Sequence, residues 1–144
     1  MTFKVSIDGG DSTQLTDKPS GRADVSPDGK LIACTYQAES NTAHKIAVIP
    51  IEGGTPPKLL DFPATGNAAF GVRWTVDGRA LTYVDTRNGV SNLWSQPLDG
   101  SPPVQLTDFK SDHIYWFDWS RDGRWLALTR GNSTNDVVLF RNLN

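Results

Sequence analysis

Apolar residues in this chain fall in short runs, and several of them alternate with polar ones. Arg22 to Val25 and Phe70 to Trp74 each place a hydrophobic side chain at every second position, and Ile114 to Trp119 is apolar or aromatic at all but Asp118. Between them lie more continuously apolar stretches, Leu31 to Tyr36, Ile46 to Ile51, Ala80 to Val84, Leu93 to Leu98, Trp125 to Thr129 and Val138 to Leu143. A period of two marks a strand with one face covered, and a short unbroken apolar run bounded by turn residues fits a strand covered on both faces. No window holds a 3.6-residue period over a helix length, and 13 glycines and 9 prolines interrupt the chain throughout. These observations predict an all-β fold.

The runs recur in a fixed order. Ser26-Pro27-Asp28-Gly29 returns as Thr75-Val76-Asp77-Gly78 and again as Ser120-Arg121-Asp122-Gly123, each followed by a base, Lys30, Arg79 or Arg124. In such a turn the aspartate bonds its own backbone and the glycine takes positive φ, so Asp28, Gly29, Asp77, Gly78, Asp122 and Gly123 are expected to be structural. After each turn come a strand, a polar loop containing Asn41, Asn88-Gly89 or Asn132, and a second strand. A small-residue turn then leads to Lys58-Leu59-Leu60-Asp61 or Gln105-Leu106-Thr107-Asp108, a segment that also occurs early as Gln14-Leu15-Thr16-Asp17. With the strand before each Asp-Gly turn this makes four strands per unit of roughly 45 residues, the pattern of a propeller blade whose sheet is covered on both faces by its neighbours.

Ser26-Pro27-Asp28-Gly29-Lys30-Leu31-Ile32-Ala33 resembles the hallmark of the TolB-type, WD-like propeller repeat: a Ser-Pro-Asp-Gly turn, a Lys or Arg, then an apolar strand. The second copy departs from it at Thr75 and Val76 and the third at Arg121. Trp94-Ser95-Gln96-Pro97-Leu98-Asp99-Gly100 with Gln105-Leu106-Thr107-Asp108-Phe109 is similar to propeller domains at the carboxyl end of bacterial receptor-type serine/threonine kinases. This resemblance implies a sensory or scaffolding domain attached to a larger bacterial protein and, with it, an extracytoplasmic or periplasmic compartment. No kinase motif lies in the chain itself. Propellers of the same class also cap serine peptidases, yet Gly89-Val90-Ser91-Asn92-Leu93 lacks the final glycine of a nucleophile turn.

With the strands of a blade lettered A to D from the channel outward, the chain is expected to read as strands C and D over 2–16, a blade over 22–60, a blade over 69–107, and strands A, B and C over 114–143. Its opening strand, Phe3 to Ile7, is equivalent to Val138 to Leu143. Propellers close with typically four to eight blades, and an arc of three leaves two sheet faces in water. If these expose on the order of several hundred Å² at about 25 cal/mol/Å², the cost is roughly 10 kcal/mol, comparable to the stability of a domain. The expected remedy is a homodimer forming a six-bladed ring.

Composition narrows the possible partners. The formal net charge is −2, with 14 basic and 16 acidic residues dispersed along the chain. No basic patch points to nucleic acid, and no apolar run approaches the ~20 residues of a membrane-spanning helix. The one cysteine, Cys34, excludes an internal disulfide and leaves the compartment open. His44 and His113 have no partners at metal-ligand spacing, so neither a metal nor a cofactor is expected.

Where the copies differ, residues are free to serve binding. The third copy is the richest: Lys110, Asp112, His113, Tyr115 and Trp116 precede and enter its inner strand, where a channel mouth forms. Aromatic residues with convergent polar groups suit a peptide or ligand site. Asp24, Arg73 and Asp118 occupy equivalent positions on the three inner strands, where opposite charges can pair near the axis. The leading expectation is therefore a non-enzymatic binding or scaffold module that self-assembles and takes a protein or peptide ligand. The alternatives are a propeller hydrolase or lyase working through channel-mouth carboxylates and His113, and a purely structural self-assembling repeat fragment.

Overall fold

The computed structural model describes residues 1–37, 43–66 and 70–133. Among the described residues the strands are β1 (Phe3–Lys4), β2 (Thr13–Gln14), β3 (Ser20–Val25), β4 (Leu31–Tyr36), β5 (Lys45–Pro50), β6 (Lys58–Asp61), β7 (Arg73–Trp74), β8 (Ala80–Arg87), β9 (Val90–Pro97), β10 (Val104–Gln105), β11 (His113–Trp119) and β12 (Leu126–Gly131). Two four-stranded antiparallel sheets follow chain order, β3-β4-β5-β6 and β7-β8-β9-β10, flanked by the pairs β1-β2 and β11-β12. The expected strand from Val138 to Leu143 and the loop at Asn41 lie outside the described residues.

Each four-stranded sheet is covered on both faces, as the apolar runs require. In the first, Ala33 pairs with Val48 and Cys34 with Ala47. Successive residues point to opposite faces of a strand, so these two pairs serve different neighbours. Ala33, Ile46 and Val48 pack with Phe62, Val72, Trp74, Leu81 and Tyr83 in the seam to the second sheet. Cys34, Tyr36, Ala47 and Ile49 form a separate cluster on the other face. There Tyr36 donates its hydroxyl to Asp17 at 2.9 Å, which ties that face to the segment following β2. On the far side of the second sheet, Val84 and Leu93 meet Ile114 and Phe117 of β11, with Phe70, Phe109, Leu126 and Leu128 around them. The Trp119 indole crosses the same seam and donates to the Thr82 hydroxyl at 3.1 Å.

The three Asp-Gly turns are built alike. Ser26, Thr75 and Ser120 each donate a hydroxyl to Oδ1 of the aspartate two residues on, at 2.6 Å. The same oxygens accept the backbone N–H of Lys30, Arg79 and Arg124 at 3.0–3.1 Å. Each hydroxyl in turn accepts the N–H of the residue that opens the next strand, Leu31, Ala80 or Trp125, at 2.9–3.0 Å. Gly29, Gly78 and Gly123 have φ of 72°, 67° and 67°, a region that a residue with a Cβ enters at a cost. These bonds favour the ionised carboxylate, so Asp28, Asp77 and Asp122 are all held below the ordinary aspartate range.

The two-residue β8–β9 turn, Asn88-Gly89, has φ of 51° and 78°. Positive φ at both positions is the hairpin geometry that an Asn-Gly pair predicts.

Candidate functional site

The inner strands β3, β7 and β11 bring Asp24, Arg73, Trp116 and Asp118 of the expected site residues together. Arg73 of β7 approaches Asp118 of β11, Nε to Oδ1 at 4.0 Å, with the arginine side chain largely covered and the aspartate largely exposed. Asp24 of β3 turns to the next blade, where Oδ2 accepts the backbone N–H of Trp74 at 2.8 Å and its carbonyl accepts the Trp74 indole N–H at 3.1 Å. Burial raises the Asp24 pKa above the usual value; the Trp74 N–H and the Arg73 charge offset part of that rise, and Asp118 adds to it.

Trp116 stands between these charges. The Arg73 guanidinium lies 4.6 Å from the centre of its ring and the Arg22 guanidinium 4.7 Å. Two cations on one indole satisfy the geometry of cation–π attraction, worth about 0.5–1 kcal/mol each at exposed sites. Arg22 is absent from the residues expected from sequence. It lies two positions before Asp24 on the same strand, but the register of β3 shifts between Ser20 and Ala23, so simple alternation does not assign its face. Gly71 makes this approach of the chains possible: a Cβ there would sit 2.9 Å from the Cβ of Arg22.

Lys110, Asp112, His113 and Tyr115 take other partners. Lys110 pairs with Asp108 at 2.5 Å, both exposed. Asp112, at φ 68°, pairs with Arg130 at 3.3 Å and accepts the Ser91 N–H on its carbonyl at 3.0 Å. His113 pairs with Gly131 across the β11-β12 ladder, and its ring centre lies 6.5 Å from that of Tyr115. The irregularity in β11 between Ile114 and Trp116 falls between these residues and Trp116.

Cys34 is fully buried, and burial pushes its thiol up to about 11. Among the described residues no three of His, Cys, Asp and Glu gather as metal ligands, and no helix is long and apolar enough to cross a membrane.

Against known proteins, the chain is 28% identical over 120 residues to the uncharacterized protein Atu1656 of Agrobacterium fabrum, an alignment covering 81% of this chain and 38% of that protein. Its structure superposes on that of the putative TolB from Agrobacterium tumefaciens with a TM-score of 0.68 at 25% identity, covering 88% of this chain and 45% of the other. The fold is a TolB-like β-propeller fold. The β-propeller domain of the Trilobed protease from Pyrococcus furiosus shares the propeller architecture, with a TM-score of 0.54 at 16% identity over 77% of this chain and 34% of that one. No protein-family model matches the chain. The chain thus spans less than half the length of each of these three proteins.

Proposed function

We propose that this propeller segment is a non-enzymatic binding module, a sensor-type or scaffold part of a larger bacterial assembly, and that it engages a protein or peptide through the inner-strand cluster of Arg22, Asp24, Arg73, Trp116 and Asp118. The observation that carries this reading is the pair of guanidiniums on the half-exposed Trp116 indole, beside the exposed Asp118 carboxylate. An aromatic plate flanked by charges of both signs recognises a chain segment through stacking and charge-assisted hydrogen bonds. Four carboxylates serve structure: Asp28, Asp77 and Asp122 brace their own turns, and Asp24 holds Trp74. A receptor-kinase type of parent protein fits the same reading.

In this proposal the ring is completed by a second copy of the chain. Two sheets with a further pair on either side make an open arc, and the exposed Phe3, Val5, Ile7 and Trp125 are apolar surface that closure would cover. Light scattering on the purified chain tests closure: a dimer mass is expected, and a monomer that unfolds in one cooperative step overturns it. Binding is tested by selecting a displayed random-peptide library on the chain, with the Arg22→Ala/Trp116→Ala double variant as counter-target. Selected peptides are expected to lose at least tenfold in affinity on the variant; peptides that bind both proteins equally overturn the assignment of the site.

A further inference from the structure

Strands β3 and β11 are each interrupted once by a break in register, between Ser20 and Ala23 in the first and between Ile114 and Trp116 in the second. Counted back from the equivalent Asp24 and Asp118, both breaks fall at the same place in the repeat and leave Arg22 and Trp116 as counterparts. A bulge of this kind re-aims the side chains beside it. Here the two counterparts meet across different sheets, with the Arg22 guanidinium 4.7 Å from the centre of the Trp116 ring.

The two cations on that ring are unevenly answered. Arg73 is largely covered; its Nη1 donates to the Val72 carbonyl at 2.9 Å and its Nε lies 4.0 Å from Asp118. Its charge also reaches Asp24, whose carboxyl it helps to keep ionised. Arg22 is exposed, and its guanidinium has no ion pair or hydrogen bond among the described residues. Its five N–H donors form a planar fork that matches the two oxygens of a carboxylate. Packing on the indole restrains this fork without using its donors, so less side-chain freedom remains to be lost when an anion arrives. An anion placed there also lowers the repulsion between the two guanidiniums that share the ring.

The acidic members of the cluster limit which anion fits. Asp118 is largely exposed and Asp24 lies within reach of the same charges, so a doubly charged phosphate group meets more repulsion here than a singly charged carboxylate. Resting on the peptide-binding role proposed for this cluster, we infer that Arg22 is its carboxylate-recognition residue. The peptide taken by this face presents an acidic group, an Asp or Glu side chain or its own carboxyl terminus, to the Arg22 fork, and Trp116 is the positioning residue that holds the fork in place.

The test uses peptides selected on the whole chain from a random library displayed with free carboxyl termini. Fluorescence anisotropy then compares each peptide as selected, with every Asp and Glu replaced by Asn and Gln, and with its carboxyl terminus amidated. One of the two neutralised forms should bind at least about fivefold more weakly, and which one does so identifies the source of the carboxylate. On Arg22→Ala the same neutralisation should cost less than about twofold, because the partner of the carboxylate is gone. Arg22→Lys keeps the charge without the fork and should restore only part of the difference. The comparison of peptide forms on the unaltered chain decides the matter even if the variants prove unstable. Peptides that weaken on the Arg22→Ala/Trp116→Ala variant yet bind equally well in all their forms overturn the role of Arg22 and leave the peptide-binding role standing. Equal losses on neutralisation with the unaltered chain and with Arg22→Ala also overturn it, since the carboxylate then sits elsewhere. Failure to select any peptide overturns both.

Discussion

Asp24 is the group on which the seam between the two complete blades can be tested most sharply, because its two hydrogen-bonding roles separate by substitution. Its Oδ2 holds the N–H of Trp74, a residue 5% exposed, whereas its carbonyl bond to the Trp74 indole survives any side-chain change. Asp24→Ala leaves the Trp74 N–H without its acceptor, and an unsatisfied buried donor costs about 1–3 kcal/mol. Partial exposure of the aspartate allows water to replace some of this, so about 1–2 kcal/mol is expected. Asp24→Asn keeps an acceptor oxygen at the same place and should stay within about 1 kcal/mol of the unaltered chain at neutral pH.

The sign of the pH dependence provides a second, independent check. Burial raises the folded-state pKa of Asp24 above 3.8, so between 3.8 and that raised value the folded state binds more protons than the unfolded one. Stability contributed by this group is therefore present at low pH and lost as the pH rises through the folded pKa. The amide of the Asp24→Asn variant cannot titrate, so the difference between the aspartate form and that variant should shift in favour of aspartate as the pH falls through that window. Urea unfolding followed by the fluorescence of the 5 tryptophans, with unchanged m values, measures both quantities. Equal stabilities for Asp24→Ala and Asp24→Asn would refute the role of the Trp74 bond. A difference that moves the other way with pH would show that the Arg73 charge outweighs burial.

Three further outcomes follow from the same geometry. Phe117→Ala empties a site that is 2% exposed in the seam between the second blade and β11-β12, and should cost about 3–5 kcal/mol in urea titrations, against at most about 0.5 for the exposed Tyr115→Ala. Gly123→Ala forces a Cβ into φ 67° and to 3.1 Å from Val76, and should destabilise by about 1–2 kcal/mol or more, seen as a lower melting temperature. Cys34, buried and with its thiol raised to about 11, should resist an aromatic disulfide reagent at neutral pH in the folded chain and react at once in denaturant.

What could be read from sequence tracks the range of the interactions concerned. Each Asp-Gly turn closes its network among the hydroxyl residue, the aspartate two positions on and the backbone N–H groups just beyond, so a single short string contains all of its chemistry. The strands are legible for the same reason: the apolar runs of β4, β5 and β8 are local patterns that burial on both faces imposes. Four-stranded antiparallel sheets follow once those runs are laid in order. The expectation that Lys110, Asp112, His113 and Tyr115 share one mouth with Trp116 comes from proximity in sequence alone. Asp112 at positive φ and the break in register between Ile114 and Trp116 give these neighbours different partners.

The converse failure concerns residues that matter only in combination. Arg22 and Arg73 belong to different blades and meet on Trp116 of a third sheet, so no window of sequence contains the cluster; only the stacking of sheets creates it. Asp85 shows this most plainly. In the aligned copies its position is held by Tyr36 and Arg130, and a departure from the repeat is visible there, but an aspartate at the end of an exposed hairpin would ordinarily be read as a solvated turn residue. Its burial depends on the chain at Gly66, which bridges to Asp85, and on the cover that Arg87 gives from its own strand. A repeat protein therefore keeps its scaffold in the positions that recur. A departure from the repeat such as Asp85 takes its surroundings from a neighbour that the repeat itself cannot specify.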